Sequence, residues 1–202
     1  MAAQPSFASP SKPSTKKGWA GGNRAYHETF GVSWYYNWTP NRSSSPAEFV
    51  PMIKGKWNVN DKTFQKIKGY PEICALLGYN EPERKKQGNL PLDHAIKLWP
   101  KVMQLAQEKG IRLGSPAPSS DHEGIQYLEK FMDEVEKRDL HVDFIAAHWY
   151  GGRDIDAFER FIERLDKRYD RPIWLTEFNG WSGPEDENYK FLKDALKFLE
   201  KE

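Results

Sequence analysis

Seven short apolar runs alternate with segments of helical period along this chain of 202 residues, and the alternation constrains the fold more than any other feature. Several runs are continuously apolar, which is typical of strands buried on both faces. Repeated strand–helix alternation predicts a parallel sheet with helical crossovers. The predicted strands are residues 17–22, 31–38, 48–55, 74–80, 112–119, 143–152 and 172–180, of which the first and fifth rest mainly on their place in the series.

Four of the intervening segments repeat apolar residues every three or four positions, as amphipathic helices do. They cover residues 92–106, 125–135, 158–169 and 192–199. Gly110 is expected to end the first helix. Ser120 or Asp121 is expected to cap the second, and Asp154 or Asp156 the third. We interpret these stripes as core-facing surfaces.

A closed barrel and an open doubly wound sheet both satisfy this alternation. An open sheet that binds a nucleotide carries a Gly-rich turn after an early strand, but neither G-x-G-x-x-G nor G-x-x-x-x-G-K-[ST] occurs here. We therefore predict an α/β fold of the (β/α)8 TIM type. The sequence ends within the helix after the seventh predicted strand, so the predicted barrel lacks its eighth strand or is truncated before it.

Composition favours one domain and argues against two classes of partner. Lys and Arg number 30 against 29 Asp and Glu, and no apolar run approaches the ~20 residues of a membrane helix. We therefore expect neither nucleic-acid nor membrane binding. We also expect a monomer. Residues 1–16 are rich in Pro, Ser, Ala and Lys, without the apolar block of a signal peptide. They are predicted to be a disordered tail or linker ahead of one barrel domain, 17–202.

Two glutamates follow apolar runs of the same design. Glu81 lies in "LLGYNEPE" (76–83) and Glu177 in "PIWLTEFNGW" (172–181). A Glu in such a place can be the first solvated residue of a loop, or Glu-Pro can start a helix. In a parallel barrel, however, the active site lies at the carboxyl ends of the strands, where both glutamates fall. The repetition of the pattern favours a pair of catalytic carboxylates.

Strand alternation predicts which neighbours face the same way as these carboxylates. In the seventh strand, Glu177 is expected to share a face with Ile173 and Leu175. In the sixth, His148 and Tyr150 share one face. If those faces point inward, a carboxylate, an imidazole and a phenol converge above the barrel core.

Two carboxylates that face one pocket can divide the work of a hydrolysis. One, kept protonated by its neighbour's charge and by desolvation, donates a proton to a leaving oxygen, while the other attacks carbon or activates water. Glycosidic bonds are cleaved in this way. A separation of about 5–5.5 Å predicts a covalent intermediate with retention of configuration, and a wider gap predicts inversion.

Six short motifs, in order, carry a resemblance to a known family. They are "YYNW", "EFVPMIKG", "LLGYNEPE", "GSPAPS", "FIAAHWYGG" and "IWLTEF", and they span residues 17–181 together with their flanks. The two glutamate motifs resemble the catalytic strands of the clan of retaining (β/α)8 glycosidases. As a set, the motifs resemble glycoside hydrolase family 128, the endo-β-1,3-glucanases. The resemblance implies a secreted hydrolase that acts on β-1,3-glucan of the laminarin type.

The resemblance also implies roles for individual residues. Glu81 matches the general acid/base and Glu177 the nucleophile of a double displacement. Asn80 matches the residue that holds the 2-hydroxyl of the sugar undergoing cleavage.

Four further residues are expected to be substrate-binding by the same resemblance. Tyr150 matches the position that hydrogen-bonds the nucleophile, and His148 lies beside it in "HWYG". Trp38 and Trp181 match platforms on which sugar rings stack. Lys54 departs from the pattern, because an aromatic residue is expected there. The remaining tryptophans considered are assigned to structure: Trp57, Trp99 and Trp174.

No metal or cofactor is predicted. The five histidines show no H-E-x-x-H or similar ligand spacing. Cys74 is the only cysteine, which excludes an intrachain disulfide, and we expect it to be a small buried apolar residue.

Two alternatives to a β-1,3-glucanase remain open from sequence. One is a glycosidase of the same clan that acts on another β-glycan, such as mannan or xylan. The other is a non-catalytic glucan-binding module, in which stacking survives without turnover. In each case the predicted partner is a β-glycan polysaccharide or oligosaccharide.

Overall fold

The computed structural model describes residues 15–181 and 183–201. All seven predicted strands are confirmed in place, each shorter than its apolar run. They are β1 (Gly18–Ala20), β2 (Trp34–Tyr36), β3 (Glu48–Phe49), β4 (Ala75–Leu76), β5 (Arg112–Leu113), β6 (Ile145–Trp149) and β7 (Ile173–Phe178). The predicted N-terminal tail, as far as residue 14, lies outside the described residues.

The four predicted helices are also confirmed, and two short helices add to them. The helices are α1 (Arg24–Phe30), α2 (Asp61–Lys68), α3 (Leu92–Lys109), α4 (His122–Lys137), α5 (Ile155–Tyr169) and α6 (Glu185–Leu199). A 3-10 turn at Lys56–Asn58 precedes α2. Asp121 caps α4 and Asp154 caps α5, because each side chain accepts a hydrogen bond from a backbone N–H in the first turn. No helix among the described residues is long and apolar enough to cross a bilayer.

The strands are parallel and follow one another in chain order. Hydrogen-bonded sheets join β1 to β2 and β3, β4 to β5, and β6 to β7. Single parallel bridges continue the series, from Met52 to Leu77 and from Gly114 to Phe144. Among the residues that the structure describes, no strand pairing joins β7 to β1. The architecture is therefore α/β, with short parallel strands and helical crossovers.

Strands β4 and β6 are buried on both faces, as their apolar runs predict, whereas β1 and most of β7 are partly exposed. On the helix side they pack in an outer core with α3, α4 and α5, to which β6 contributes Ile145 and Ala147. On the other side lies an inner cluster, which contains Phe144 and Ala146 from the same stretch. Side chains that continue the inner face beyond the carboxyl ends of the strands therefore meet above this cluster.

The prediction that Cys74 is buried is wrong, and one of the tryptophans assigned to structure is exposed. Cys74 is exposed, because Ile73 packs in the core beside it while the Cys74 thiol lies next to the exposed Arg112, with 3.7 Å between Sγ and Nη2. Trp57, which was assigned to structure, is 51% exposed. Trp99 and Trp174 do pack in the interior, Trp99 in the outer core and Trp174 against the inner cluster.

Trp99→Ala should lower the free energy of unfolding by about 3–5 kcal/mol, measured by urea denaturation. The indole is fully buried, stands edge-on to Tyr79 and Phe131, and donates from Nε1 to the His141 carbonyl at 3.1 Å. Its removal leaves a cavity and an unpaired carbonyl. Trp57→Ala is the matched control and should cost less than about 1 kcal/mol, because half of that side chain is in solvent. Equal losses for the two variants would contradict this account of the core.

Candidate active site

The two glutamates lie on either side of one buried histidine. His148 Nδ1 is 3.2 Å from Glu81 Oε1, and its Nε2 is 3.2 Å from Glu177 Oε1. The two carboxylate oxygens are therefore no farther apart than these contacts and one imidazole ring allow, about 9 Å, which is within the range of paired glycosidase carboxylates. The side chain of His148 is 0% exposed, against 14% for Glu81 and 12% for Glu177. Both carboxylates thus reach solvent at the site, while the ring between them is covered.

Glu81 is fixed through its backbone. Its N–H donates to the Ala117 carbonyl at 2.8 Å, and its carbonyl accepts from the N–H groups of Arg84 and Gly88. Its φ of 38° is in the left-handed region, which costs a residue with a side chain on the order of 1–3 kcal/mol. The surrounding hydrogen bonds hold the chain in this conformation, which is common at functional sites.

A glycine makes this turn possible. A Cβ on Gly88 would lie 2.5 Å from the Asn80 carbonyl oxygen and 2.9 Å from Pro82 Cα, so only glycine lets the loop close against the strand end. The sequence "NEPERKKQGN" therefore folds back on Glu81 through a backbone contact that no other residue type fits.

A β-bulge in β7 brings Glu177 opposite His148. Ala147 pairs with Leu175 and His148 pairs with Glu177, so Thr176 has no partner across the ladder. Bulges often lie beside active sites, where the extra residue changes the direction of a side chain. Here Thr176 is that residue.

The expectation that Glu177 shares a face with Ile173 and Leu175 is therefore wrong. Those two residues pack against the outer core, whereas Trp174 packs against the inner cluster. Strict alternation would have placed Thr176 opposite His148 and turned Glu177 toward the helices. The convergence of carboxylate, imidazole and phenol nevertheless occurs, because the bulge shifts Glu177 by one position.

Three side chains donate hydrogen bonds to the carboxylate of Glu177. Oε1 accepts from the Tyr36 hydroxyl at 2.9 Å and from Trp38 Nε1 at 2.8 Å. Oε2 accepts from the Tyr150 hydroxyl at 2.8 Å. The sequence analysis did not assign a role to Tyr36. Its place in "YYNW", two residues before Trp38 at the end of a strand, was the available signal.

These neighbours keep Glu177 ionised. Burial raises the pKa of Glu177, but the charge of His148 and the hydrogen bonds from Trp38, Tyr150 and Tyr36 outweigh burial, so the net pKa is lowered. Burial and the adjacent charge of Glu177 raise the pKa values of Tyr36 and Tyr150. Both phenols therefore stay protonated and remain donors.

The contacts of His148 to the two carboxylates differ in kind. The Nδ1 contact with Glu81 has hydrogen-bond geometry. Nε2 is close enough to Glu177 for an ion pair but is not aligned for a hydrogen bond, and it has no other hydrogen-bond partner among the described residues. The ring touches both carboxylates and is not open to the cleft. Within residues 15–181 and 183–201, no group of three or more His, Cys, Asp or Glu side chains could hold a metal ion.

The remaining predicted substrate-binding residues lie around this pair. Asn80 is buried, and its Oδ1 has no hydrogen-bond partner within the described part of the chain. Its N–H donates to the carbonyl of Lys54, which is half-buried at the neighbouring strand end. Trp181 is 70% exposed and stands edge-on to Tyr150, with 5.4 Å between ring centroids. Asn80 is thus adjacent to Glu81 in the chain, and Trp181 contacts Tyr150, which donates a hydrogen bond to Glu177.

Comparison with known proteins identifies the family. The family model described as "Glycosyl hydrolase catalytic core" matches residues 14–202, nearly the whole chain. The chain belongs to this family. Within it, solved structures similar to this chain include enzymes of glycoside hydrolase family 128, as the resemblance in the motifs implied.

Two of those structures illustrate the similarity of this family 128 member. A subgroup I endo-β-1,3-glucanase from Amycolatopsis mediterranei, a glutamate variant in complex with laminarihexaose, is 31% identical with a TM-score of 0.80, over 92% of this chain and 83% of that chain. A subgroup III curdlan-specific exo-β-1,3-glucanase from Blastomyces gilchristii, in complex with glucose, is 28% identical with a TM-score of 0.81, over 94% and 87%.

A curated relative is a longer protein. Alkali-sensitive linkage protein 1 of Schizosaccharomyces pombe is 31% identical over 210 residues, which cover 94% of this chain. The match covers 37% of the length of that relative.

Proposed function

We propose that this family 128 member is a retaining glycoside hydrolase that cleaves β-1,3-glucan by double displacement. The observation that carries the proposal is the pair of partly exposed carboxylates on either side of His148, one of which accepts hydrogen bonds from three side chains. Its relatives include enzymes whose crystals contain laminari-oligosaccharides, which supports laminarin-type glucan as the substrate. Because that polymer is extracellular, the protein is expected to act outside the cell.

The surroundings of the two carboxylates assign their roles. Glu177 accepts three hydrogen bonds and faces the His148 ring, so it is the anion and acts as the nucleophile. Glu81 has one side-chain hydrogen bond within the described residues, to His148, and acts as general acid and base.

The reaction proceeds in two steps. Glu177 attacks the anomeric carbon as Glu81 gives its proton to the glycosidic oxygen, so the C–O bond to the leaving sugar breaks and a glycosyl ester forms. Glu81 then takes a proton from water, the hydroxide attacks the same carbon, and Glu177 leaves as a carboxylate. Two displacements on one carbon restore the original configuration.

Neighbouring residues position the sugar and the nucleophile. Asn80 is proposed to bind the 2-hydroxyl through its unpartnered Oδ1, and Trp38 and Trp181 to stack on sugar rings. Tyr150 holds Glu177 by its hydroxyl. His148, whose ring is covered, is proposed to act through the carboxylates that it contacts.

The proposed scaffold is a single catalytic domain, residues 17–202, in the form of a TIM-type barrel to which the described residues contribute seven strands. Support comes from the approach of β7 to β2. The rings of Trp34 and Trp174 lie 5.0 Å apart, and the Tyr36 hydroxyl is 3.2 Å from the Thr176 carbonyl oxygen. The seventh strand thus returns to the start of the series.

Product analysis on three polymers tests the substrate. The protein should release sugars from laminarin and little from mannan or xylan. Proton NMR of the first products should show the β-anomer, because a retaining enzyme releases this anomer and mutarotation converts it only later. Release from only mannan or xylan would contradict the glucan assignment, an initial α-anomer would contradict retention, and glucan binding without release would indicate a binding module.

Tyr150→Phe should move the acid limb of the kcat/KM profile to higher pH. Without this donor the ionised form of Glu177 is less stabilised, its pKa rises, and the nucleophile protonates sooner as the pH falls. The rate at the optimum should fall about ten- to a hundredfold, as for loss of a hydrogen bond to a charged group. The measurement is laminarin hydrolysis between pH 3 and pH 8.

Tyr127→Phe is the matched control. That hydroxyl is also buried and donates to the Leu90 carbonyl at 2.9 Å, but it does not contact either catalytic glutamate. Its loss should reduce stability and leave the pH profile in place. An acid limb that does not move in Tyr150→Phe would contradict the role given to the phenol.

A further inference from the structure

Trp57 presents a fixed, exposed indole beside the proposed active site. A Cβ on Gly55 would lie 2.7 Å from the outer ring atoms of this indole, so one part of the ring rests on a glycine backbone. The side chain is 51% exposed in spite of that contact. The Trp57 carbonyl accepts a hydrogen bond from Asn60 Nδ2 at 2.7 Å, and Asn60 also caps α2. The indole is therefore attached to a short, well-anchored turn.

The exposed ring forms one wall of a groove that also includes Trp38, a hydrogen-bond donor to the proposed nucleophile. The groove is lined by Trp38, Asn41, Trp57, Asn58, Lys62 and Lys66, and its volume is about 470 Å³. Clefts that bind small ligands are typically about 300–1,000 Å³. Trp38 belongs to both places, because its Nε1 donates to Glu177. Trp38 thus links the groove to the carboxylate pair.

The groove also offers polar groups suited to hydroxyls. The Asn58 Oδ1 atom is buried without a hydrogen-bond partner in the described part of the chain. Lys66 Nζ donates to Asn41 Oδ1 at 2.7 Å and has further donors to offer. An aromatic face with amide and ammonium groups at its edge matches a pyranose, whose faces are apolar C–H and whose rim is hydroxyl.

We propose that Trp57 stacks on a glucosyl residue of the bound chain that is remote from the bond being cleaved. The proposal rests on the function proposed above, since it places a sugar of the same polymer in the groove. Trp57 is then a substrate-binding residue that acts on long chains, because short oligosaccharides held at the carboxylates do not reach it.

Titration of an inactive protein with oligosaccharides tests this subsite. Laminarihexaose and laminaritriose are titrated calorimetrically into the full chain with Glu177→Gln, with and without Trp57→Ala. We expect the Kd for the hexaose to rise about tenfold with Trp57→Ala, as for loss of one stacked ring. Trp57→Phe should give an intermediate value, and the Kd for the triose should stay within twofold.

Tyr189→Ala provides the control. This ring is 60% exposed on α6 and is not part of the groove, so its removal should leave the hexaose Kd unchanged. A Trp57→Ala protein that binds the hexaose as the parent does overturns the subsite.

Hydrolysis by the unmodified protein separates this result from the proposed function. Laminarin cleavage with an unchanged hexaose Kd in Trp57→Ala overturns the subsite alone. Hexaose binding that depends on Trp57, without laminarin cleavage, overturns the proposed function and leaves the subsite. No binding and no cleavage overturns both.

Discussion

Glu177→Gln should reduce laminarin hydrolysis by at least about a thousandfold while the Kd for laminarihexaose changes only a few-fold. The amide has the shape of the carboxylate but cannot form the glycosyl ester. Its oxygen can still accept from Tyr36 and Trp38, and its NH2 group can donate to the Tyr150 hydroxyl oxygen. Because these hydrogen bonds are kept, we expect the substitution to reduce the rate of turnover and to leave the binding affinity nearly unchanged. Release of reducing ends and calorimetric titration measure the two quantities.

Glu163→Gln is a suitable control for this substitution. Glu163 is an exposed residue of α5, so its substitution by Gln makes the same chemical change away from the site. It should leave both hydrolysis and binding unchanged. Hydrolysis by Glu177→Gln within tenfold of the unmodified protein would remove this residue from the mechanism.

The order of the strands could be read from the sequence, but not their pairing. Apolar runs mark strands that are covered on both sides, and even the weak runs at β1 and β5 are in place. The run at 74–80 yields a β4 of only two residues, because its later members pair with different neighbours. Leu77 bridges to Met52 on one side and Asn80 to Ala117 on the other. Pairing of this kind depends on tertiary contacts and leaves no local pattern.

The short helices α1 and α2, which contribute few buried residues, were not predicted. α2 spans eight residues, and only Thr63 and Ile67 among them are buried. So short an apolar stripe cannot be distinguished from a polar loop. A stronger indication of α2 was Asn60, a residue type favoured as an N-cap, whose side chain accepts a hydrogen bond from the Thr63 N–H.

The candidate site shows where sequence reasoning reaches its limit. Glu81 and Glu177 were found because each follows an apolar run, and that signal is local. The bulge at Thr176 was not found, because it exists only in the register between β6 and β7. The hydrogen bond from Tyr36 to Glu177 joins residues 141 positions apart, and no spacing rule predicts it. The exposure of Trp57 was not predicted, because the exposure of an indole depends on what lies beneath it, here Gly55.

Glu81→Ala should slow laminarin hydrolysis about a hundred- to ten-thousandfold, the usual contribution of a general acid and base. An aryl β-glucoside oligomer with a good leaving group needs no proton in the first step, so its glycosyl ester on Glu177 should form quickly and then accumulate. Azide is a nucleophile that needs no general base. Added azide should therefore restore turnover of the aryl substrate and give a β-glycosyl azide, identified by NMR.

The anomer of the azide decides the assignment, because Glu177→Ala provides the opposite result on the same substrate. In Glu81→Ala the azide displaces the Glu177 ester from the face that the leaving group vacated, and two inversions give the β-product. In Glu177→Ala the azide takes the place of the missing carboxylate, and one inversion gives the α-product, with Glu81 still able to protonate the leaving oxygen. The two variants should thus yield glycosyl azides of opposite configuration at the anomeric carbon. A β-azide from Glu177→Ala, or an α-azide from Glu81→Ala, would require the roles of the two carboxylates beside His148 to be exchanged.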